Sequence, residues 1–117
     1  MNLAGLYLHF PFCKSKCNYC DYYCLDNREL DIDLYIEMLL KEIRLVSKLY
    51  SKKWIFDTIY LGGGTPSIIP KNNFKNILNC LKENFDIPND FECTIEINPD
   101  DLILEDLLFY LELGINR

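Results

Sequence analysis

Long apolar runs are missing from this sequence. No stretch approaches the roughly 20 consecutive apolar residues that a membrane-spanning helix needs, and Met1 is followed almost at once by a strand-like segment. A basic start, an apolar core and a small-residue cleavage site, the marks of a secretory leader, are all lacking. Positive charge is also scarce: 12 Lys and Arg stand against 18 Asp and Glu, a net charge of −6. That balance carries no electrostatic footprint for binding nucleic acid. At 117 residues there is room for one small domain with a core and not for two. Low-complexity segments are absent, and half the residues are hydrophobic, which is globular composition.

Cysteine, by contrast, is concentrated. Of six cysteines, Cys13, Cys17 and Cys20 fall within eight residues as CxxxCxxC, directly after the short run Leu6–Phe10 and the strand-ending Pro11. A disulfide framework needs an even number and gains little from so small a loop. A zinc site usually takes four ligands, typically as two CxxC pairs. Three thiolates on one loop suit three irons of a [4Fe–4S] cluster, with the fourth iron open to a ligand. The clustering and the strong helix and strand periodicity predict a reducing, cytoplasmic setting. Cys24 reads as a free thiol or as a fourth ligand, with the non-ligand role favoured. Cys80 and Cys93 lie among apolar positions and read as small buried hydrophobes.

Taken in order, Leu6–Phe10 predicts a strand with Leu6, Leu8 and Phe10 on one face and Tyr7 and His9 on the other. His9, the single histidine, reads as a hydrogen-bonded inward residue. The cysteine loop spans 11–28. Asp31 is a candidate N-cap for a helix ending near Tyr50, with Ile32, Ile36, Leu39, Ile43, Val46 and Tyr50 as its apolar stripe. Ile55–Leu61 predicts a second strand, ended by Gly62-Gly63-Gly64. Pro70 opens a helix with Phe74, Ile77, Leu78, Leu81 and Phe85 inward. Phe91–Asn98 predicts a third strand, with Phe91, Cys93, Ile95 and Ile97 opposite Glu92, Thr94, Glu96 and Asn98. A third helix over Ile103–Leu113 ends at Gly114, and Ile115-Asn116-Arg117 begins another strand. Alternating strands and helices specify an α/β fold with a parallel sheet and right-handed crossovers. The expected core sets Ile36, Leu39, Ile43, Ile77, Leu81, Leu107 and Leu111 against Leu8, Ile59 and Ile95. In such sheets ligands collect at the carboxyl ends of the strands, where the cysteine loop, the glycine run and Glu96 all stand. The glycine run is no phosphate loop, because no Gly-Lys-Ser/Thr follows it.

The string YLHFPFCKSKCNYCDY, then Gly62-Gly63-Gly64-Thr65-Pro66, Glu96-Ile97-Asn98-Pro99 and Gly114-Ile115-Asn116-Arg117, resembles the radical S-adenosylmethionine superfamily. Within it, the match is to the heme-biosynthesis branch of oxygen-independent coproporphyrinogen III oxidases and HemW-type heme chaperones. The resemblance implies a partial, TIM-like (β/α) barrel, of which residues 1–117 form the N-terminal part of the core domain. It implies a [4Fe–4S] cluster on Cys13, Cys17 and Cys20, and S-adenosylmethionine bound through its amino and carboxylate groups at the open iron. Gly63, Gly64 and Thr65 would contact that cofactor, as would Glu96, Tyr7 and Tyr19. An electron from the cluster would then cleave the carbon–sulfur bond, releasing methionine and a 5′-deoxyadenosyl radical; the protein's own part is to hold and shield. No residue of this chain is assigned a separate catalytic role.

The resemblance leaves two functions of different kinds. One is a heme chaperone; the other is an enzyme, the oxidative decarboxylation of coproporphyrinogen III to protoporphyrinogen IX. Tyr22 occupies the place where the oxidases carry an extra cysteine, and the sequence starts just ahead of its first strand where the oxidases carry an extension. Both favour the chaperone. An inactive fragment of either is the bland alternative. The partners implied are heme or a porphyrinogen, an electron donor such as flavodoxin or ferredoxin, and a weak membrane association of the full-length protein.

Overall fold

The computed structural model describes residues 2–13, 25–26 and 29–117; Cys17, Tyr19, Cys20 and Cys24 lie outside them. Strands β1 (Asn2–Phe10), β4 (Trp54–Gly63) and β5 (Glu92–Ile95) form a parallel sheet in the order β1-β4-β5. Helix α1 (Glu29–Tyr50) connects β1 to β4, α2 (Lys71–Asn84) connects β4 to β5, and α3 (Leu104–Glu112) follows. Two short strands not expected from the sequence, β2 (Phe12–Cys13) and β3 (Leu25–Asp26), pair in parallel at the two ends of the cysteine loop.

The helices cover one face of the sheet. Leu8, Phe10, Ile59, Leu61, Cys93 and Ile95 alternate along the three strands and are buried there against Ile36, Ile43, Phe74, Ile77 and Leu81. Burying that many apolar side chains, at about 1.5–3 kcal/mol each, is what holds the layers together. The α2 stripe is as expected: Phe74, Ile77, Leu78, Leu81 and Phe85 are all buried. Along α1 the stripe holds from Ile32 to Val46. Tyr50 has left the core, because the chain turns away at the helix end, where Ser51 and Lys53 donate to the carbonyls of Ser47 and Tyr50.

Helix α1 starts at Glu29, so Asp31 lies inside it and does not cap it, and three further expectations are corrected. First, β1 is longer than Leu6–Phe10: Asn2–Ala4 pairs with Trp54–Phe56 ahead of a bulge at Ala4/Gly5, which lets a segment without clear alternation join the ladder. Second, β4 runs on through Gly62 and Gly63, which pair with His9 and Phe10, so the glycines extend the strand rather than end it. Third, Leu107 and Leu111 are exposed. Helix α3 is apolar nearly all round, so spacing alone could not choose its inner side. The stripe that meets the body is Asp106, Phe109, Tyr110 and Leu113, with Tyr110 edge-on to Phe74 at 5.8 Å and Asp106 paired to Lys71 at 3.1 Å.

Gly114, at φ +93°, turns the chain back to the sheet. Asn116 and Arg117 donate to the carbonyl of Cys93 at 2.9 and 3.1 Å, and Ile95 donates to the carbonyl of Arg117 at 3.0 Å, so the strand expected here is begun. The Asn116 side chain bridges β5: Oδ1 accepts from the Cys93 N–H at 2.9 Å and Nδ2 donates to the Phe91 carbonyl at 3.0 Å. Asn116→Ala strips the partner from a backbone N–H at the wholly buried Cys93, so it should destabilise the fold by about 1–3 kcal/mol. Urea denaturation would measure it; an unchanged midpoint would show that the bridge is dispensable.

Candidate functional site

The site is built where β1, β4 and β5 end. After the strand pairing of Gly63 with Phe10, the Gly64 N–H donates to the Phe10 carbonyl at 2.8 Å and the Thr65 N–H to the Phe12 carbonyl at 2.7 Å. The glycine segment therefore runs alongside the end of β1 and reaches the residue before Cys13. The approach is close at Gly63, whose φ is +119°. A Cβ there would stand 2.5 Å from the Phe10 carbonyl oxygen and 2.8 Å from the Phe10 nitrogen. Only glycine admits both the backbone angle and the contact.

On the sheet face that the helices leave open, Tyr7, Tyr60 and Glu96 converge on Gly62. A Cβ at Gly62 would meet Glu96 Oε1 at 2.5 Å, Tyr60 Cε1 at 2.8 Å and Tyr7 Cε2 at 3.1 Å. Glu96 is carried there by its backbone, whose N–H donates to the Leu61 carbonyl at 3.0 Å. Tyr7 and Tyr60 are register partners and stack with ring centroids 5.8 Å apart. The Tyr7 hydroxyl hydrogen-bonds His9 Nδ1 at 2.9 Å. Tyr35 of α1 donates its hydroxyl to the His9 carbonyl and sets its ring edge-on to Phe12. Burial raises the Tyr35 pKa, which keeps that phenol a donor. The whole end of β1 is thus tied to α1 on one side and to β4 on the other.

Of the residues singled out in the sequence, Tyr7, Gly63, Gly64, Thr65 and Glu96 stand together at these strand ends. Cys13 closes β2, next to the residue that Thr65 grips. Cys17, Cys20 and Tyr19 lie outside the described residues, as does Cys24. Among the described residues no group of three or more His, Cys, Asp or Glu is placed to hold a metal ion. Cys80 and Cys93 are buried in the core, away from the site. Burial pushes both thiols up, Cys93 to about 11, so neither supplies a thiolate at neutral pH.

Sequence reading missed Gly62 and Tyr60. The signals were there: a glycine inside a strand marks close approach of another group, and Tyr60 shares the alternation that puts Tyr7 on the open face. Gly62 was obscured by ending the strand at Leu61.

The arrangement sets a carboxylate and two phenols beside backbone free of side chains, close to the strand end from which the cysteine-rich segment sets out. It fits a ligand that brings hydrogen-bond donors and needs the strand ends bare. The chain matches the Radical SAM superfamily over residues 7–117. It is 39% identical over 114 residues to the heme chaperone HemW of Buchnera aphidicola subsp. Acyrthosiphon pisum, covering 97% of this chain and 30% of that protein. It is 32% identical to the oxygen-independent coproporphyrinogen III oxidase of Salmonella typhimurium, covering 97% of this chain and 25% of that one. Among solved structures, the coproporphyrinogen III oxidase HemN from Escherichia coli, described as a radical SAM enzyme, superposes with a TM-score of 0.92 at 30% identity. That superposition covers 99% of this chain and 27% of the enzyme, and it matches an N-terminal part of the enzyme's TIM-like fold.

Proposed function

Because the chain belongs to the radical SAM superfamily, we propose that it forms the N-terminal part of a heme-metabolism protein, of the HemW heme-chaperone type, that binds a [4Fe–4S] cluster and S-adenosylmethionine. The observation that carries this is the clip between the glycine segment and the start of the cysteine loop, through Gly64 to Phe10 and Thr65 to Phe12. It brings a bare backbone, the Glu96 carboxylate and Cys13 to one edge of the sheet.

In this reading Cys13, Cys17 and Cys20 hold the cluster. Gly63 and Gly64 leave room for the methionyl end of the cofactor, and Thr65 lines it. Glu96 accepts hydrogen bonds from an amino group or the ribose, Tyr7 adds a second polar contact, and Tyr19 borders the adenine. When bound, the pair supplies one-electron reduction and homolysis of the carbon–sulfur bond; this chain's residues orient the sulfonium and keep water from it. Heme or a porphyrinogen is the partner, and a flavodoxin- or ferredoxin-type protein the electron donor.

The chaperone is favoured over the oxidase by Tyr22, which stands where the oxidases carry an extra cysteine, and by the higher identity to HemW proteins. The oxidase reading keeps one point in its favour, the close superposition on HemN. The chain spans about 30% of the length of the HemW relative, so the test belongs to the full-length protein. Incubated anaerobically with coproporphyrinogen III, a reductant and S-adenosylmethionine, it should form no protoporphyrinogen IX and should bind heme stably. Clear turnover would move the assignment to the oxidase.

A further inference from the structure

We infer that the outward side of α1 is a self-association surface, on which a second copy of this protein packs its own α1 in antiparallel orientation about a two-fold axis. The inference is independent of the cofactor reading.

Helix α1 has two apolar sides. Ile32, Ile36, Leu39 and Ile43 are buried in the core. Leu34, Met38, Leu45 and Leu49 are between 54% and 64% exposed. At about 100° per residue these four fall within roughly 60° of one another, on the side of the helix opposite the buried stripe. Surface leucines scattered singly are ordinary, but a continuous apolar line on one helix marks an interaction site. The line points away from the sheet, so a helix packed beside α1, as α2 is, leaves it open.

The spacing identifies the occupant. Leu34 and Leu49 lie equally far from the point between Lys41 and Glu42, as do Met38 and Leu45. Two antiparallel copies centred there set Leu34 on Leu49 and Met38 on Leu45. Each contact then occurs twice, as an isologous interface requires.

The charges fix the direction. Asp33 and Glu37 precede the central point, and Arg44 and Lys48 follow it. Antiparallel packing lays the acidic half of each helix beside the basic half of the other, with Glu37 in reach of Lys48 of the second copy on the same flank. Parallel packing would lay like charges together. Near the axis Lys41 meets its own copy, but it is already paired to Glu37 at 3.6 Å. Glu42 lines the groove between α1 and β1 and so leans off the seam. An anionic bilayer also takes a row of leucines, but Asp33, Glu37 and the net charge of −6 oppose it. The seam from Leu34 to Leu49 is about 22 Å long, at the small end of specific interfaces, so the dimer exchanges with monomer.

Sedimentation of the full-length protein across a concentration series decides the matter. The parent should show a monomer–dimer equilibrium that added salt weakens. Leu45→Gln keeps a good helix former at an exposed position, so the fold and its melting should hold. Because the two-fold counts each substitution twice, its dissociation constant should rise roughly tenfold or more. Glu37→Lys alone and Lys48→Glu alone should each weaken association. Mixed with each other, these two variants should pair as tightly as the parent, since the mixture restores opposite charges at both flanks. No vesicle of phosphatidylglycerol and phosphatidylethanolamine should carry the parent down. A parent that stays monomeric throughout, a dimer indifferent to Leu45→Gln, or charge variants that do not recover on mixing would each overturn the proposal. Cosedimentation of a monomeric parent with the vesicles, lost in Leu45→Gln, would overturn it in favour of a membrane surface.

Discussion

Gly63→Ala should cost this fold about 3 kcal/mol or more, a large share of the 5–15 kcal/mol that holds a typical domain. Two separate penalties meet at the position. The backbone sits at φ +119°, where an L side chain is strained by roughly 1–2 kcal/mol. The new methyl would also lie 2.5 Å from the Phe10 carbonyl oxygen and 2.8 Å from its nitrogen. Those are backbone atoms of the last pair in the β1–β4 ladder, tied in by the bond from Gly64 just beyond it, and they cannot swing aside as a side chain could. Relief must come from parting the strands, which breaks the pairing of Gly63 with Phe10 and the bond from Gly64 beyond it. Gly62→Ala makes the contrast. Its closest neighbours are the Glu96 carboxylate and the edges of two rings, all ends of side chains, so the fold should survive and the cradle should distort. Denaturant midpoints for the two variants test this directly. A Gly63→Ala protein with a midpoint matching the parent, or one no worse than Gly62→Ala, would show that the backbone approach is softer than its distances say.

That contrast also marks what could be read from the residues alone. The order of elements, the parallel sheet and the inward stripes of α1 and α2 were legible because each rests on a local period. That the candidate residues gather at the strand ends was legible too, since the cysteine loop, Gly64 and Glu96 each follow a strand. What failed was the assignment of the glycines as a single loop. Nothing in Gly-Gly-Gly distinguishes a residue that lies in a ladder from one that leaves it; the register against His9 and Phe10 decides, and register is a property of two strands. Helix α3 failed for a related reason. With Leu104, Leu107, Leu108 and Leu111 as apolar as Phe109, Tyr110 and Leu113, only the presence of Phe74 opposite Tyr110 selects the inner stripe. Lys71 then pairs with an Asp106 that spacing would have faced outward.

Cys17→Ala should abolish the cluster, and Cys24→Ala should leave it intact. In the proposed assignment three thiolates hold the cluster and one iron stays open, so the protein has no spare ligand. Anaerobic reconstitution of the parent should give about four irons per chain, and loss of any one of Cys13, Cys17 or Cys20 should bring that close to zero. The other cysteines cannot substitute. Cys93 is wholly buried behind the sheet with its thiol pushed up to about 11 by burial, and Cys80 is buried on α2. Forming a thiolate at either would mean opening the core. Cys24 is the one that discriminates. As a fourth ligand it would close the site, leaving no iron for the cofactor and an electron-transfer centre in place of a reactive one. Addition of S-adenosylmethionine to the reduced protein should therefore change its electron paramagnetic resonance signal in the parent and in Cys24→Ala alike. Iron lost from Cys24→Ala and retained in Cys17→Ala would reverse the ligand set. A signal indifferent to the cofactor would mean that no iron is open, and the radical chemistry would have no place to begin.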